Sequence, residues 1–165
     1  MSVVAVKVYD KEIIMAADSI IVHGETDKTP VGRGKIYEVN GMLIGTSGLA
    51  NEAIHMALFA ENHTPLDMNE RELTKYMHEF TTWRSREFGV DARSENQFLI
   101  AYKGKVFYCS VGYVGEVFDT FAIGAGERYA QAALYLGHSP QEAVKVACAL
   151  SCYVAEPIVV KSIAK

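Results

Sequence analysis

The chain has 165 residues, half of them hydrophobic, and 16 Lys and Arg against 20 Asp and Glu give a formal net charge of −4 at pH 7. That length suits one domain spanning residues 1–165, and no polar or Pro/Gly-rich stretch divides it. The charge balance leaves no basic stripe for nucleic acid, and no apolar run approaches the roughly 20 residues of a membrane helix.

The first predicted strand opens at Ser2, directly behind Met1, and alternates through Val4, Val6 and Val8. If Met1 is removed, Ser2 carries both a hydroxyl and a free α-amine. A serine hydroxyl needs an adjacent proton acceptor, and an amine with an ordinary pKa of about 7.7–8.0 can serve, so one residue supplies nucleophile and base. The second strand, Glu12-Ile-Ile-Met-Ala-Ala-Asp18, follows the two-residue turn Asp10-Lys11. In that register Tyr9 faces Glu12, Ser2 faces Ser19 and Asp18 faces Val3. Alternation puts the Asp18 side chain on the other face from Ser2, where it would orient a third group or the terminal backbone.

A third strand, Lys35 to Val39, is joined through Asn40-Gly41 to Met42-Leu-Ile-Gly-Thr46. Asn-Gly between apolar runs is a strong hairpin signal. It sets Lys35 opposite Thr46, two residues before Gly48, so a cation and a flexible backbone amide approach the same end of the sheet. Lys35 can lower the pKa of a neighbouring amine or hydroxyl by charge. The Gly48 amide, at the start of a helix, can donate to a developing oxyanion.

A helix is predicted from Leu49 to about Asn62, and a second opens at Asn69 with Glu72 three residues on, a capping-box pattern. Leu73, Met77, Phe80 and Phe88 supply its apolar stripe. Segments 97–102, 105–110 and 116–123 read as a second set of strands. Two more helices follow, one from about Glu127 to Leu136 stopped by Gly137, the other opened by Ser139-Pro140-Gln-Glu142. Pro157 to Val160 reads as a final edge strand. This order implies an α+β fold, two packed sheets covered by helices on both sides.

Other motifs carry less. Gly124-Ala125-Gly126 resembles the start of a dinucleotide fingerprint but has Tyr129 where the third glycine belongs, which argues against a nucleotide cofactor. Cys109, Cys148 and Cys152 lack a nearby histidine and read as apolar residues rather than metal ligands. Their odd number without a signal peptide fits a reducing cytosol. The five histidines have no ligand spacing, and Trp83 beside Arg84 and Arg86 reads as a helix side chain shielding the core.

Taken together, the hairpin ending in Ala17-Asp18, the Gly34-Lys35-Ile36 segment, Ile44-Gly-Thr-Ser-Gly48-Leu-Ala-Asn-Glu-Ala53 and Phe121-Ala-Ile-Gly-Ala-Gly-Glu-Arg-Tyr-Ala-Gln-Ala-Ala133 resemble β-type proteasome subunits. They resemble HslV peptidases more closely still. The likeness covers nearly the whole chain and implies a four-layer αββα sandwich. It puts Ser2 in the place of the family's N-terminal threonine, Asp18 and Lys35 in those of its acid and lysine, and Gly48 in that of its oxyanion-hole glycine. One extra residue lies between Asp18 and Lys35. Thr46 and Ala50 fall on specificity-pocket positions and, being small, leave room for a sizeable apolar substrate residue. No cofactor or metal is implied. The implied partners are copies of the chain in stacked rings, an ATP-dependent unfoldase and a polypeptide substrate, all in the cytoplasm. The chain departs from the family at Ala125, where a serine usually stands between the glycines and contacts the terminal amine. It departs again around Ala149 to Pro157, where many proteasome subunits carry an aspartate and a serine and only Ser151 offers a partial substitute. Two other readings stay open: a catalytically inert ring-forming protein, and a small-amide hydrolase using the same N-terminal chemistry.

Overall fold

The computed structural model describes residues 1–23, 27–30 and 34–165. Two hairpins organise it. Strands β1 (Val4–Val8) and β2 (Glu12–Asp18) pair antiparallel with Val4 opposite Ala17, and the Tyr9 N–H donates to the Glu12 carbonyl at 2.8 Å across the Asp10-Lys11 turn. The register is the predicted one. A short ribbon that the sequence periodicity does not announce follows, β3 (Ile20–His23) against β4 (Asp27–Pro30).

The second hairpin joins β5 (Ile36–Val39) to β6 (Met42–Ser47), with Asn40 at φ 48° and Gly41 at φ 73°, the pair of left-handed residues that a tight hairpin turn demands. Ile36 lies opposite Gly45, and the Thr46 N–H donates to the Lys35 carbonyl at 2.9 Å. Strands β7 (Gln97–Tyr102), β8 (Lys105–Ser110) and β9 (Tyr113–Val117) extend this hairpin into a five-stranded antiparallel sheet in the order β5-β6-β7-β8-β9. The first hairpin gains β10 (Thr120–Ile123) and β11 (Ile158–Ala164) to make a four-stranded sheet, β10-β1-β2-β11.

Segment 116–123, expected as one strand, is thus two. Its pairing passes from β8 to β1 at Phe118-Asp119, because one straight strand cannot hydrogen-bond in both sheets. The Asp119 carbonyl accepts from the Val8 N–H at 2.8 Å and closes the changeover. The second set of strands is divided between the two sheets, β7, β8 and β9 joining β5 and β6 while β10 joins β1. Strand β11 is an edge strand, as predicted, and runs on to Ala164.

Helices α1 (Ala50–Ala60) and α2 (Glu70–Phe88) cover the five-stranded sheet, burying Met56, Phe59, Leu73 and Phe80 against Met42, Ile44 and Phe98. Helices α3 (Glu127–Tyr135) and α4 (Pro140–Leu150) cover the other sheet with small residues, Ala130, Ala143 and Ala147, against Val3, Ala5 and Ala16. Between the sheets lie Val4, Val6, Met15, Leu43, Leu99 and Ile123. The result is an αββα sandwich in which both faces of β1 are buried, which is why Val and Ala fill it almost without interruption. Burying a Val, Leu or Phe side chain is worth about 1.5–3 kcal/mol.

The helix starts follow their caps. The Asn69 side chain accepts from the Glu72 N–H at 3.0 Å, and Ser139 and Glu142 form a complete capping box with Pro140 in the first turn. The buried face of α2 is Leu73, Tyr76, Phe80 and Arg84, whereas Met77 is half-buried and Phe88 is exposed, stacking on His55 at 3.7 Å between ring centroids. Arg84 turns inward because Glu52 of α1 meets it at 3.5 Å.

Candidate active site

The hairpin register brings Asp18 beside the first residues of the chain. Its carboxylate is fully buried and spends its two oxygens on different partners: Oδ1 accepts from the Val3 backbone N–H at 2.8 Å, Oδ2 from Lys35 Nζ at 2.7 Å. The Asp18 N–H also donates to the Val3 carbonyl at 3.2 Å. Lys35 Nζ reaches on to the Met1 carbonyl at 3.0 Å. The ion pair therefore holds the peptide units on both sides of Ser2, the Met1–Ser2 bond through its carbonyl and the Ser2–Val3 bond through its N–H.

Burial sets the electrostatics here. It raises the Asp18 carboxyl above its ordinary value, with Lys35 and the backbone donors pulling the other way. It lowers the Lys35 ammonium, opposed chiefly by Asp18. The terminal amine, on Met1, lies below the usual α-amine value, first through burial and next through repulsion by Lys35, with Asp18 opposing both.

Ser2 is 4% exposed and lines a cleft of about 440 Å³ with Lys35, Thr46, Gly48 and Ala50. Among the described residues, nothing hydrogen-bonds its hydroxyl or the Gly48 N–H. Gly48 has φ 132°, a conformation that L side chains rarely adopt. Ile20, Ile21, Val22, Leu49, Ala53 and Ile54 give the cleft apolar walls, and no acidic residue lines it among the described residues. All six residues singled out in the sequence, Ser2, Asp18, Lys35, Thr46, Gly48 and Ala50, thus meet at one end of the sandwich.

On the far side of Ser2 lies the turn at residues 124–126. The Gly126 N–H donates to the Ser2 carbonyl at 3.2 Å. A Cβ on Gly124, whose φ is 94°, would fall 2.3 Å from that same carbonyl oxygen. Ala125 is exposed and brings no hydroxyl. Ser151 Oγ accepts from the Tyr153 N–H at 3.3 Å, and among the described residues it makes no hydrogen bond to residues 1–3.

Two neighbouring residues complete the surroundings without any local sequence signal. Gln97 accepts from the Gly124 N–H at 3.1 Å and donates to the Tyr108 hydroxyl at 3.1 Å. Asn96 hydrogen-bonds Thr46 and both backbone groups of Leu49. Behind them Glu52 is fully buried, accepting from the Ser94 hydroxyl and paired with Arg84. Only its distant partners reveal its role. Cys109 is buried and its thiol is pushed up to about 12, a packing residue, whereas Cys152 is exposed beyond the end of α4. Among the described residues no group of His, Cys, Asp or Glu gathers to hold a metal, and no helix is long and apolar enough to cross a membrane.

No protein-family model matches the sequence, and no curated protein matches it significantly. Solved structures do match. BPH from Thiobacillus denitrificans in complex with epoxomicin superposes with a TM-score of 0.86 at 18% identity over 98% of each chain. Eukaryotic HslV from Trypanosoma brucei gives 0.78 at 18% identity over 99% of each. Anbu, an ancestral β-subunit from Yersinia bercovieri, gives 0.67 at 14% identity over 97% of this chain and 80% of its own. At such identities the likeness establishes the fold, which is that of HslV-like proteasome β-subunits.

Proposed function

We propose that the chain is a peptidase subunit that cleaves unfolded polypeptides with Ser2 as an N-terminal nucleophile after loss of Met1. The Ser2 hydroxyl gives its proton to its own amine as Oγ attacks the peptide carbonyl, and the Gly48 N–H receives the oxyanion. The amine returns that proton to the leaving nitrogen, leaving an ester on Ser2. Water, deprotonated by the same amine, then hydrolyses the ester and restores the serine. Lys35, charged and held by Asp18, keeps the amine neutral enough to act as base.

One observation carries this reading: Asp18 accepts from the Val3 N–H at 2.8 Å and from Lys35 at 2.7 Å, which brings acid and lysine beside Ser2 through contacts that loss of Met1 leaves in place, while among the described residues nothing hydrogen-bonds the Ser2 hydroxyl in its apolar cleft. The binding of epoxomicin by the Thiobacillus protein, whose fold is shared, agrees with it. The cleft walls favour an apolar residue before the scissile bond. Exposed Leu58 on α1, with Tyr135 and Leu136 at the end of α3, supports assembly of copies into stacked rings; in this reading the rings work in the cytoplasm with an ATP-dependent unfoldase.

A second reading, an inert ring-forming protein, is favoured by the missing hydroxyl at Ala125. Hydrolysis of a fluorogenic peptide panel separates the two. The peptidase turns over substrates with large apolar residues faster than acidic ones, and Ser2→Ala abolishes turnover with assembly by mass photometry unchanged. Intact rings without turnover in Met1-free protein favour the inert reading, and an open monomer that cleaves only small amides favours the small-amide alternative.

A further inference from the structure

We propose that Asn96 is the positioning residue for the oxyanion donor, fixing the Gly48 amide from behind; the proposal rests on the peptidase reading of Gly48. Among the described residues, the Gly48-Leu49 link between β6 and α1 takes part in one backbone hydrogen bond, from the Ala53 N–H to the Leu49 carbonyl at 3.1 Å. Asn96 supplies what it lacks. Its Oδ1 accepts from the Leu49 N–H at 2.6 Å, and its Nδ2 donates to the Leu49 carbonyl at 3.0 Å and to Thr46 Oγ1 at 3.2 Å. These three bonds straddle Gly48, one residue after it and two before. A Cβ on Gly48 would fall 2.1 Å from Asn96 Oδ1, so the amide group lies directly against the Gly48 Cα.

Asn96 is in turn immobile. It is 1% exposed, and its own N–H donates to the Glu52 carboxylate at 3.4 Å, which also accepts from the Ser94 hydroxyl and the Glu95 N–H and pairs with Arg84. The network fixes the orientation of its amide: a flipped side chain would set its NH₂ against the Leu49 N–H and an oxygen against the Leu49 carbonyl. Such rigidity matters because an oxyanion donor contributes only when held where the charge develops, and a displacement of about 1 Å can cost on the order of 100-fold in rate. Ser94, Asn96 and Glu52 thus form a buried strut between α1 and the start of β7, with Gly48 at its tip.

The test uses Met1-free protein carrying Asn96→Ala or Asn96→Asp. Asn96→Ala lowers kcat by about 30-fold with KM changed by less than about twofold, because Asn96 braces only Thr46 and Leu49 of the cleft and makes no bond to the rest of its apolar wall, Ile20, Ile21, Val22, Ala53 and Ile54. Asn96→Asp keeps the acceptor for the Leu49 N–H but sets a carboxylate oxygen against the Leu49 carbonyl and beside buried Glu52, so its kcat falls at least as far as that of Asn96→Ala. Asn96→Ser, uncharged and smaller, carries the test if the alanine variant does not fold. Backbone hydrogen exchange gives a readout independent of turnover: the Leu49 amide exchanges about tenfold faster in Asn96→Ala, while the β1 and β2 amides keep their protection. Unchanged kcat in both variants, a KM effect alone, or unchanged Leu49 exchange overturns the proposal. If the wild type has no turnover, the peptidase reading has failed, and Leu49 exchange alone decides whether Asn96 holds the loop.

Discussion

Ser2 is held differently on its two sides. Toward Lys35 the anchors are side-chain charges, a buried carboxylate and an ammonium 2.7 Å apart that clasp the neighbouring peptide groups. Toward the turn at residues 124–126 the anchor is main chain only, the Gly126 N–H on the Ser2 carbonyl, with the turn braced by Gln97 on the Gly124 N–H. A charged anchor fails if either partner changes, because the survivor is left buried and unpaired. A main-chain anchor is indifferent to the side chain beside it. That contrast explains how an alanine at position 125 is compatible with a well-formed frame around Ser2.

The largest effect is therefore expected from the charged side. Lys35→Met leaves Asp18 buried without its cation, which costs about 3–5 kcal/mol of stability and takes hydrolysis below detection. Burial already raises the Asp18 carboxyl, so the stranded group binds a proton more readily folded than unfolded. The destabilisation is accordingly larger at alkaline than at acidic pH. Thermal unfolding across that range checks both the size and the sign.

The main-chain side should answer more mildly. Ala125→Ser adds a hydroxyl beside an anchor that already exists, and it raises peptide hydrolysis by no more than about 10-fold, the worth of one contact of about 1.4 kcal/mol in the transition state. Steady-state kinetics on protein with a verified free Ser2 measures it. A fall in rate would show that the turn is tuned for alanine.

The smallest effect concerns the amine between the two anchors. Burial and Lys35 hold the Met1 amine below its usual value; the same two influences, burial and the nearby Lys35 cation, act on the amine that loss of Met1 places on Ser2, and an amine so lowered is neutral, hence basic, at lower pH. With the amine on Ser2, kcat/KM rises with pH through a midpoint below the ordinary α-amine range of about 7.7–8.0. A midpoint above that range in the pH profile would mean that Asp18 outweighs Lys35 and burial at that position.

What could be read in the sequence follows the same division. Two tight turns, Asp10-Lys11 and Asn40-Gly41, fix two hairpin registers, and those registers alone carry Asp18 to Val3 and Lys35 to Thr46. The Ser139 capping box and the Asn69 cap are equally local and equally legible. Asn96, Gln97, Glu52 and Arg84 are not, because each acts on a residue about 27 to 50 positions away or is buried only by such a partner. The changeover at Phe118-Asp119 escaped for a related reason: alternation continues through it, and only the identity of the pairing sheet changes. In α2 the apolar pattern pointed to Phe88, but the ion pair of Arg84 with Glu52 draws a charged side chain into the buried face.

The central claim is that Ser2, freed of Met1, is the nucleophile, and mapping a covalent adduct tests it most directly. Protein made in cells is treated with epoxomicin, weighed intact, digested and sequenced by mass spectrometry. The account predicts protein lacking Met1, one adduct per chain located on Ser2, and none on Ser2→Ala. Retained Met1 with no adduct, or an adduct that persists in Ser2→Ala, would contradict it.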